Sequence, residues 1–412
     1  MLNLYSIYKP MDKLYIKYIS ALKFRLFERK IFKATWSKHE EVLSWTEEMV
    51  KHFSKNDVLK ETTSIQEPIV KKALELREQA IEHFKDKYAN QSIKILIHVP
   101  SQKSSPGGYS LFKNLVDSFN FIGIETRMIM VGEPIETVLD SFQPTVLLSS
   151  DHSDYTETLN WNAINHYKTQ FPLSVGLTAS IEAYGNTPLK QRLKWAKRVG
   201  IDFYYSFRSY EYLSERVDYK PFFDFGYKII SVEFGANVLV YYPIANIEKD
   251  LEYVFLASSN SDKRKRYFDW LPKIVYNYYG FIDGPGWHLI SRWATQETHK
   301  FLYARGKIGI NLHIDDSIEW ASELNERTYI LAACGIPQLV DNAKLLFKRF
   351  SEESFFCAQT PKEYVQLFEY MLGHPEECQK RVLRALDEVY KKHTTFHRAE
   401  SFILQLGEFK NV

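Results

Sequence analysis

Short apolar segments alternate with helix-patterned segments from Ile93 to about residue 392 of this chain. Each apolar segment has the length of a buried strand, and polar loops or helical segments separate it from the next one. Strands that alternate with helices in this way pair in parallel and are covered by helices on both faces. The alternation is interrupted at residues 242–249 and then begins again. We therefore predict an α/β protein with two Rossmann-like domains.

The predicted strands fall into two blocks of comparable size. The first block has strands at 93–99, 124–131, 145–149, 173–178, 202–206 and 228–233. The second block has strands at 251–257, 307–312, 337–340 and 354–357, with a further short strand before Gly284. Helices are predicted between them, including 111–119, 263–278 and 289–303. Since residues 1–90 have helical periodicity alone, we predict a helical extension over 1–90, Rossmann-like domains over 91–240 and 241–392, and a closing helix over 393–412.

Charge and cysteine content argue against several classes of protein. The chain has 53 Lys and Arg against 51 Asp and Glu, so it lacks the basic excess typical of a nucleic-acid-binding protein. Its three cysteines, Cys334, Cys357 and Cys378, have no metal-site spacing and are expected to be reduced. No apolar run approaches the ~20 residues of a membrane span, and the N-terminus has no signal-peptide pattern. We therefore predict a cytoplasmic protein without a structural metal.

The first 38 residues have a local charge pattern of their own. They contain nine Lys or Arg against Asp12 and Glu28, with aromatic residues interleaved. A basic, aromatic, helical segment could lie on an anionic membrane surface, as a peripheral contact at the inner face. Alternatively, the helix packs on the body of the protein and exposes its lysines to water.

Two predicted loops at the carboxyl ends of first-block strands are candidate sites, because ligands of open α/β sheets gather there. Gly107 and Gly108 could let backbone N–H groups approach an anion or a sugar, or they could form a simple tight turn. Asp151 and His152 follow the third strand. A carboxylate beside an imidazole suits a general base or a group that orients a hydroxyl, whereas helix capping is the alternative for this stretch.

The loop after the first strand of the second block combines small polar and basic residues. Ser259 precedes the cations Lys263, Arg264 and Arg266 at a predicted helix start. The helix dipole disfavours cations there unless an anion is close, and a diphosphate would supply that anion. A solvated charge run is the alternative.

Further candidates follow later strands of the second block. Trp287 lies in a glycine-flanked turn and could stack on a base or a sugar, or it could be a core residue. His313 ends a strand, and Asn325 can cap the next helix so that its positive end faces a ligand. The first turns of that helix carry Glu326, Arg327 and Ile330.

The second block resembles the CgeB-like, group-1-type glycosyltransferases of the GT-B fold. The resemblance covers about residues 230–400 and, weakly, 93–230. The stretches that carry it, in chain order, are Val232-Glu233-Phe234-Gly235-Ala236-Asn237, Val254-Phe255-Leu256-Ala257-Ser258, Gly284-Pro285-Gly286-Trp287, the helix from Asn325 to Gly335, and His374-Pro375-Glu376-Glu377.

The resemblance implies transfer of a sugar from a nucleotide-diphosphate sugar to a hydroxyl of a glycan or lipid-linked acceptor, in bacterial surface polysaccharide or glycoprotein glycan synthesis. The first domain would hold the acceptor and the second domain the donor, on either side of a cleft. Lys263, Arg264, Arg266 and the helix start at Asn325 would neutralise the leaving diphosphate. Asp151 or His152 would orient or deprotonate the acceptor. By analogy we expect a retaining hexosyltransferase. Because no Asp-x-Asp motif lies at a strand end, we expect no metal or other cofactor. The balanced charge predicts no nucleic-acid partner, and a homodimer is one possible assembly.

One position departs from the family pattern. Ile330 stands where the family usually has a glutamate that holds the donor ribose hydroxyls. Either Glu326 replaces that glutamate, or the donor is a dTDP-sugar, whose deoxyribose has no 2′-hydroxyl. Two other functions stay open: a non-catalytic GT-B-fold partner subunit that binds a nucleotide-sugar, and a nucleotide-sugar epimerase.

Overall fold

The fold is built on two separate parallel sheets, as a computed structural model shows. The structure describes these residues: 22, 23, 25, 26, 28, 29, 38–53, 67–99, 106–182, 185, 187–259, 271–287, 292–313, 323–341 and 343–410. One sheet has six strands and the other has five, and helices separate successive strands in both. The predicted α/β class with two Rossmann-like domains is therefore confirmed.

The six-stranded sheet has the strand order β2-β1-β3-β4-β5-β6. Its strands are β1 Lys94–Val99, β2 Glu125–Met130, β3 Val146–Ser149, β4 Ser174–Thr178, β5 Phe203–Ser206 and β6 Ile229–Ser231. The α-helices among these strands are Pro106–Phe121, Ile135–Phe142, Ser153–Thr156, Trp161–Gln170, Leu189–Val199, Tyr210–Glu215 and Lys220–Asp224. Since every strand pair is parallel, the carboxyl ends of all six strands lie at one edge.

The centre of this sheet is apolar because helices cover both of its faces. Ile95 of β1 pairs with Val146 of β3, and both are fully buried. The four residues of β3 are all buried, so the strand has no solvated face. A strand buried on both sides is expected to be continuously apolar, which the sequence of β3 satisfies up to Ser149.

The five-stranded sheet has the order β11-β10-β9-β7-β8 and is also parallel. Its strands are β7 Leu251–Leu256, β8 Gly280–Asp283, β9 Gly306–Asn311, β10 Gln338–Asp341 and β11 Phe356–Ala358. The α-helices among and after these strands are Leu271–Asn277, His299–Arg305, Glu326–Ala333, Leu346–Arg349, Pro361–Gly373, Pro375–Lys392 and Thr395–Lys410. The N-terminal part contributes a helix over residues 38–53 and the helix Pro68–Phe84.

The chain divides into two compact units, each made from two stretches of sequence. Residues 76–239 and 389–412 form the unit with the six-stranded sheet. Residues 1–75 and 240–388 form the unit with the five-stranded sheet. The helix over residues 38–53 thus belongs to the same unit as the second sheet. The four domain ranges expected from the sequence stay a prediction.

Two predicted helices of the chain need correction. The helix predicted over 111–119 begins earlier, at Pro106, because a proline is well suited to the first helical position and Gly107 and Gly108 continue the turn. The predicted helix over 289–303 is confirmed over 299–303 and wrong over 292–298: residues 292–295 are not helical, Gln296–Thr298 is a 3₁₀ turn, and the α-helix begins at His299. Asp283 accepts the backbone N–H of Ala294 at 2.6 Å, and this bond keeps residue 294 out of the α-helix that begins at His299.

Much of the charged N-terminal segment lies outside the described residues. Positions 22, 23, 25, 26, 28 and 29 are helical, which agrees with a helical extension. Leu22 and Leu26, one turn apart, are 60% and 52% exposed, whereas Glu28 is buried. Among the described residues, no helix is long and apolar enough to cross a membrane.

Candidate functional site

Polar side chains converge where β9 ends and the helix Glu326–Ala333 begins. Asn325 caps this helix: its Oδ1 accepts the N–H of Thr328 at 3.0 Å. Its Nδ2 donates to Asn311 Oδ1 and to the carbonyl of Leu312, both at 2.9 Å. One asparagine therefore fixes the helix start against the carboxyl end of β9. The first N–H groups of a helix have no partner within the helix, so this end suits an anion.

The same helix is fixed at its other end by a glycine. Gly335 has a φ of +66° and follows the last helical turn, in the left-handed conformation that commonly ends helices. A Cβ there would also lie 2.8 Å from Ile69. The helix is therefore held at both ends, which fixes where its positive end lies.

Arg327 joins the helix to two strands. Its Nε donates to the carbonyl of Leu256, the last residue of β7, at 2.8 Å. Its Nη1 donates to Asn311 Oδ1 at 3.3 Å. The guanidinium lies 5.4 Å from the ring centre of Phe255. The cation is thus held half-buried at the carboxyl edge of the second sheet, beside the capped helix start.

His313 is held by a buried carboxylate. Its Nδ1 lies 2.7 Å from Asp341 Oδ1, and its backbone N–H also donates to this carboxylate. Its Nε2 lies 3.2 Å from Thr328 Oγ1. When Nδ1 carries the proton for Asp341, Nε2 is left as an acceptor for the threonine hydroxyl. His313, Asn325 and Arg327, which the sequence placed at one site, are therefore brought together by the fold.

The glycine-tryptophan turn is packed into the protein. Trp287 is 2% exposed, and its Nε1 donates to the carbonyl of Ala257 at 2.9 Å. The Oγ of Ser259 donates to the carbonyl of Gly286. Of the two alternatives for Trp287, a stacking platform or a core residue, the structure favours the core residue. Ser259 holds the turn in place.

Ile330 and Glu326, the two residues considered for the donor ribose, lie on the same helix and differ in burial. Ile330 is buried, with 6% of its surface exposed. Glu326 is half-buried in the first turn. Burial raises the pKa of Tyr241, and the negative charge of Glu326 adds to that rise. The predicted phosphate-binding residues Lys263, Arg264 and Arg266 lie outside the described residues.

A second polar cluster lies at the carboxyl end of the six-stranded sheet. His98 of β1 is 1% exposed, and its Nδ1 lies 2.9 Å from Ser149 Oγ. Tyr205 donates its hydroxyl to the carbonyl of Ser149 at 3.1 Å. Burial lowers the pKa of His98 to about 4. A neutral imidazole therefore lies within the end of the sheet.

Asp151 forms a buried ion pair with Arg192 of the helix Leu189–Val199. The same guanidinium donates from Nη1 to the carbonyl of Ser180 at 2.8 Å and from Nε to that of Thr187 at 3.1 Å. Burial raises the pKa of Asp151 to about 6, and the positive charge of Arg192 opposes the rise. The carboxylate thus fixes the segment after β4 through Arg192, an arrangement that argues against a general base.

The other predicted residues of the first sheet are more accessible. The Nδ1 of His152 lies 3.5 Å from Asp154 Oδ2, and the side chain is 30% exposed. Gly107 lies in the first turn of the helix Pro106–Phe121, where an added Cβ would meet no heavy atom within 4 Å. Packing therefore does not require glycine at position 107. Gly108 lies in the same turn.

Sequence reasoning missed two residues of the first-sheet cluster. His98 interrupts an otherwise apolar strand, Lys94–Val99, and a polar residue within such a strand was a usable signal. Arg192 had no such signal, because its partner Asp151 is 41 positions away and lies on another element. Only the fold brings these two charges together.

Comparisons with known proteins agree with this architecture. Residues 264–403 match the sequence model of the family described as glycosyl transferase-like. One similar solved structure is an alpha-glucosyltransferase in complex with UDP-glucose and DNA containing an abasic site. It is 10% identical with a TM-score of 0.55, and the match covers 99% of it and 77% of this chain. A glycosyltransferase from Rickettsia africae is 10% identical with a TM-score of 0.51, and the match covers 98% of it and 78% of this chain. No curated protein sequence matches the chain.

At these low identities the solved structures establish the fold alone, and the family match is a similarity over residues 264–403. The predicted resemblance to group-1-type glycosyltransferases of the GT-B fold is confirmed; the CgeB-like subdivision stays a prediction. The chain thus has a GT-B-type fold, and its residues 264–403 are similar to the glycosyl transferase-like family.

Proposed function

We propose that this protein transfers a sugar from a nucleotide-diphosphate sugar to an acceptor hydroxyl. The observation that carries the proposal is the capped start of the helix Glu326–Ala333, with Arg327 beside it, at the carboxyl edge of the second sheet. This helix lies within the residues that match the glycosyl transferase-like family. A positive helix end and a fixed guanidinium suit a diphosphate.

The proposed chemistry follows from the leaving group. Breaking the bond between the sugar and the diphosphate builds negative charge on a phosphate oxygen, so prearranged positive groups lower the barrier. The helix start at Asn325 and the Arg327 guanidinium would supply part of this stabilisation. We assign Lys263, Arg264 and Arg266 to the same diphosphate. The proposed reaction uses no metal or other cofactor, because the sequence has no Asp-x-Asp motif at a strand end where a metal-bridged diphosphate would bind.

Two nucleotides are candidates for the donor, one with deoxyribose and one with ribose. Burial of Ile330 leaves an apolar side chain where the family has a ribose-binding glutamate, which favours a dTDP-sugar. Glu326 lies one turn earlier and could bind a ribose hydroxyl, which would allow a UDP-sugar. The similar alpha-glucosyltransferase structure contains UDP-glucose, which supports the second option.

For the acceptor we favour His152 over Asp151 as the orienting residue. Asp151 is paired with buried Arg192, whereas the His152 side chain is partly exposed. Gly107 and Gly108 could bring backbone N–H groups to the same ligand, because packing does not explain the glycine at 107. An orienting histidine without a strong base suits the retaining outcome, which we propose by analogy with the family.

We propose a glycan or lipid-linked acceptor in bacterial surface polysaccharide or glycoprotein glycan synthesis. The support is the basic, aromatic composition of residues 1–38 and the exposure of Leu22 and Leu26 one helical turn apart. Exposed leucines beside Lys23, Arg25 and Arg29 suit the surface of an anionic membrane, where apolar side chains insert and cations meet head groups. The protein would then act peripherally at the cytoplasmic face.

A donor-hydrolysis assay tests the transferase activity without knowledge of the acceptor. The protein is incubated with UDP-glucose, dTDP-glucose, GDP-mannose or ADP-glucose in excess EDTA, and release of the nucleoside diphosphate is followed. We expect slow release from one donor, unchanged by EDTA, and its loss in Arg327→Ala. Absence of release from every donor, with or without added Mg²⁺, would contradict the proposed activity.

A second candidate, a non-catalytic nucleotide-sugar-binding subunit, is favoured by one specific pair of observations. Asp151 is held in an ion pair, and Ile330 replaces a glutamate by an apolar side chain. This protein would bind a nucleoside diphosphate without releasing one from any donor. The epimerase alternative would instead convert a nucleotide-sugar without an acceptor, which NMR of the sugar after incubation detects.

A further inference from the structure

The helix over residues 38–53 places a buried histidine on the second sheet. The Nε2 of His39 lies 3.1 Å from Asp283 Oδ1, and the two side chains are 4% and 2% exposed. The His39 ring also stacks on Phe281 of β8, with ring centres 4.9 Å apart and an angle of 14°. A hydrogen-bonded pair at this depth fixes both partners, because either group would be costly to leave unpaired.

The same helix holds the segment that follows the glycine-tryptophan turn. Arg292 forms ion pairs with Glu40, at 2.7 Å, and with Glu47. These two glutamates lie seven positions apart, so they are on one face of the helix. Residue 292 is thereby attached to the helix at two points.

Asp283 connects His39 to that segment. It is the last residue of β8, and its second carboxylate oxygen accepts the backbone N–H of Ala294 at 2.6 Å. The carboxylate therefore joins the two ends of the stretch between positions 283 and 294, which includes the turn at Gly284. The φ of Gly284 is +138°, and a Cβ there would meet the Ala257 carbonyl at 2.6 Å.

Asp283 is also next to the proposed donor site. In the parallel pairing of β7 with β8, Asp283 is opposite Leu256. Leu256 is the residue whose carbonyl accepts the Nε–H of Arg327. The backbone carbonyl of Asp283 further accepts the N–H of Ala257 at 2.8 Å. A shift of the end of β8 would therefore move the end of β7, and with it the Leu256 carbonyl that positions the Arg327 guanidinium.

We propose that His39, Glu40 and Glu47 are positioning residues for the donor site: they hold the β8 end and the segment after it in the geometry that Arg327 requires. The inference rests on the proposed function, since it assigns the N-terminal helix a role in binding the donor nucleotide. These three residues precede the glycosyl transferase-like region, which begins at residue 264. The donor site thus includes support from outside the matched family region.

Three variants probe the contacts, and a fourth is the control. His39→Phe keeps an aromatic ring for Phe281 but removes the bond to Asp283, and His39→Gln restores a side-chain N–H donor. The double variant Glu40→Gln/Glu47→Gln removes the exposed ion pairs without opening the core. Glu48→Gln neutralises an exposed glutamate on the same helix and is the matched control.

The first readout is amide hydrogen exchange of the full-length protein, measured by mass spectrometry over residues 283–287 and 292–298. We expect about tenfold faster exchange in His39→Phe, and a smaller increase of about threefold in the double glutamate variant, because exposed ion pairs stabilise less than a buried bond. His39→Gln should recover part of the protection, and Glu48→Gln should match the unchanged protein.

The second readout is the dissociation constant for UDP and for dTDP. We expect about tenfold weaker binding of the preferred nucleotide in His39→Phe, because a small displacement of a binding group has a large cost. Unchanged exchange in both variants overturns the inference, whether or not any nucleotide binds. Faster exchange with unchanged nucleotide affinity also overturns it. If the unchanged protein binds no nucleotide, the proposed function fails while exchange still shows whether the helix holds this segment.

Discussion

Asn325 donates a hydrogen bond from its Nδ2 to Asn311 Oδ1 at 2.9 Å, while its own Oδ1 caps the helix Glu326–Ala333. Asn311 in turn donates to Thr328 Oγ1 at 2.9 Å and to Gln338 Oε1 at 2.7 Å. The helix start is therefore connected by side chains to β9 and β10. This arrangement holds a positive helix end at the carboxyl edge of the second sheet, where we place the donor diphosphate.

Replacement of Asn325 by alanine should weaken both folding and donor binding. Loss of the cap is expected to lower the free energy of unfolding by about 1 kcal/mol. The preferred nucleoside diphosphate should bind more weakly as well, because the helix start would no longer be fixed. Urea unfolding and calorimetric titration measure the two effects.

Thr360→Ala is the matched control for this change. Thr360 caps the helix Pro361–Gly373 through its side chain, which accepts the N–H of Glu363 at 3.2 Å. Its loss should have a comparable effect on unfolding and none on nucleotide affinity. Equal nucleotide affinities of the two variants would argue against the helix start as the donor site.

Asp151→Asn should lower the free energy of unfolding strongly and the activity of the folded protein only slightly. The substitution leaves the buried Arg192 cation without its counter-ion, and breaking a buried pair costs about 3–5 kcal/mol. The double variant Asp151→Leu/Arg192→Met should lose less than the sum of the two single variants in urea unfolding. Additive losses would show that the two side chains are not coupled, against the ion pair described here.

Donor hydrolysis by the same Asp151→Asn protein, measured under conditions in which the protein is folded, tests whether Asp151 orients the acceptor. We expect activity per folded molecule to fall only a few fold, since Asp151 acts through Arg192. A loss of activity per folded molecule of about a thousandfold or more would support Asp151 as a general base.

His98 should make stability depend on pH in a defined window. Its pKa is lowered by burial from 6.5 to about 4, so the folded protein keeps it neutral while the unfolded chain takes up a proton. This contribution to stability is present above pH 6.5 and is lost as the pH falls towards about 4. The full loss amounts to roughly 3 kcal/mol. His98→Asn removes the titrating group and should flatten this part of the curve.

Urea unfolding at several pH values measures this effect as the difference between the unchanged protein and the variant. His397, whose pKa is also lowered to about 4, contributes equally to both and cancels. His166→Gln changes an exposed histidine and is the control. The same pH slope in His98→Asn and the unchanged protein would contradict the assignment.

Leu22→Ser/Leu26→Ser tests the proposed membrane contact. Both side chains are more than half exposed, so the change should cost little stability. Sedimentation with vesicles that contain anionic lipid should show weaker binding than that of the unchanged protein, and vesicles of neutral lipid should bind neither. Equal binding of both proteins to anionic vesicles would place the contact elsewhere or remove it.

The fold could be predicted largely from the sequence because buried parallel strands are continuously apolar. Residues 146–149 and 306–311 fall within a residue or two of their predicted positions for that reason. The non-helical residues 292–295 could not be predicted, because they are held by tertiary contacts: Asp283 accepts the Ala294 N–H, and Arg292 pairs with Glu40. Local periodicity contains no information on either contact.

The candidate site could be predicted only in part, for a related reason. Asn325 as a helix cap is a local pattern and is present as predicted. Trp287 has the same local sequence whether it stacks on a ligand or fills the core, and only its 2% exposure separates the two. The partners of Asp151 and Asp283 lie on distant segments, so their ion pair and hydrogen bond emerge from the fold alone.

The most direct test of the donor site is a thermal-unfolding panel with UDP, dTDP, GDP and ADP, each in the presence of EDTA. A nucleotide at about 100 times its dissociation constant should add roughly 2.7 kcal/mol to the folded state. For a chain of this size we predict that one nucleotide raises the Tm by several degrees, and that the rise is smaller in Asn325→Ala. No rise with any of the four nucleotides, or an equal rise in both proteins, would contradict a donor site at this helix.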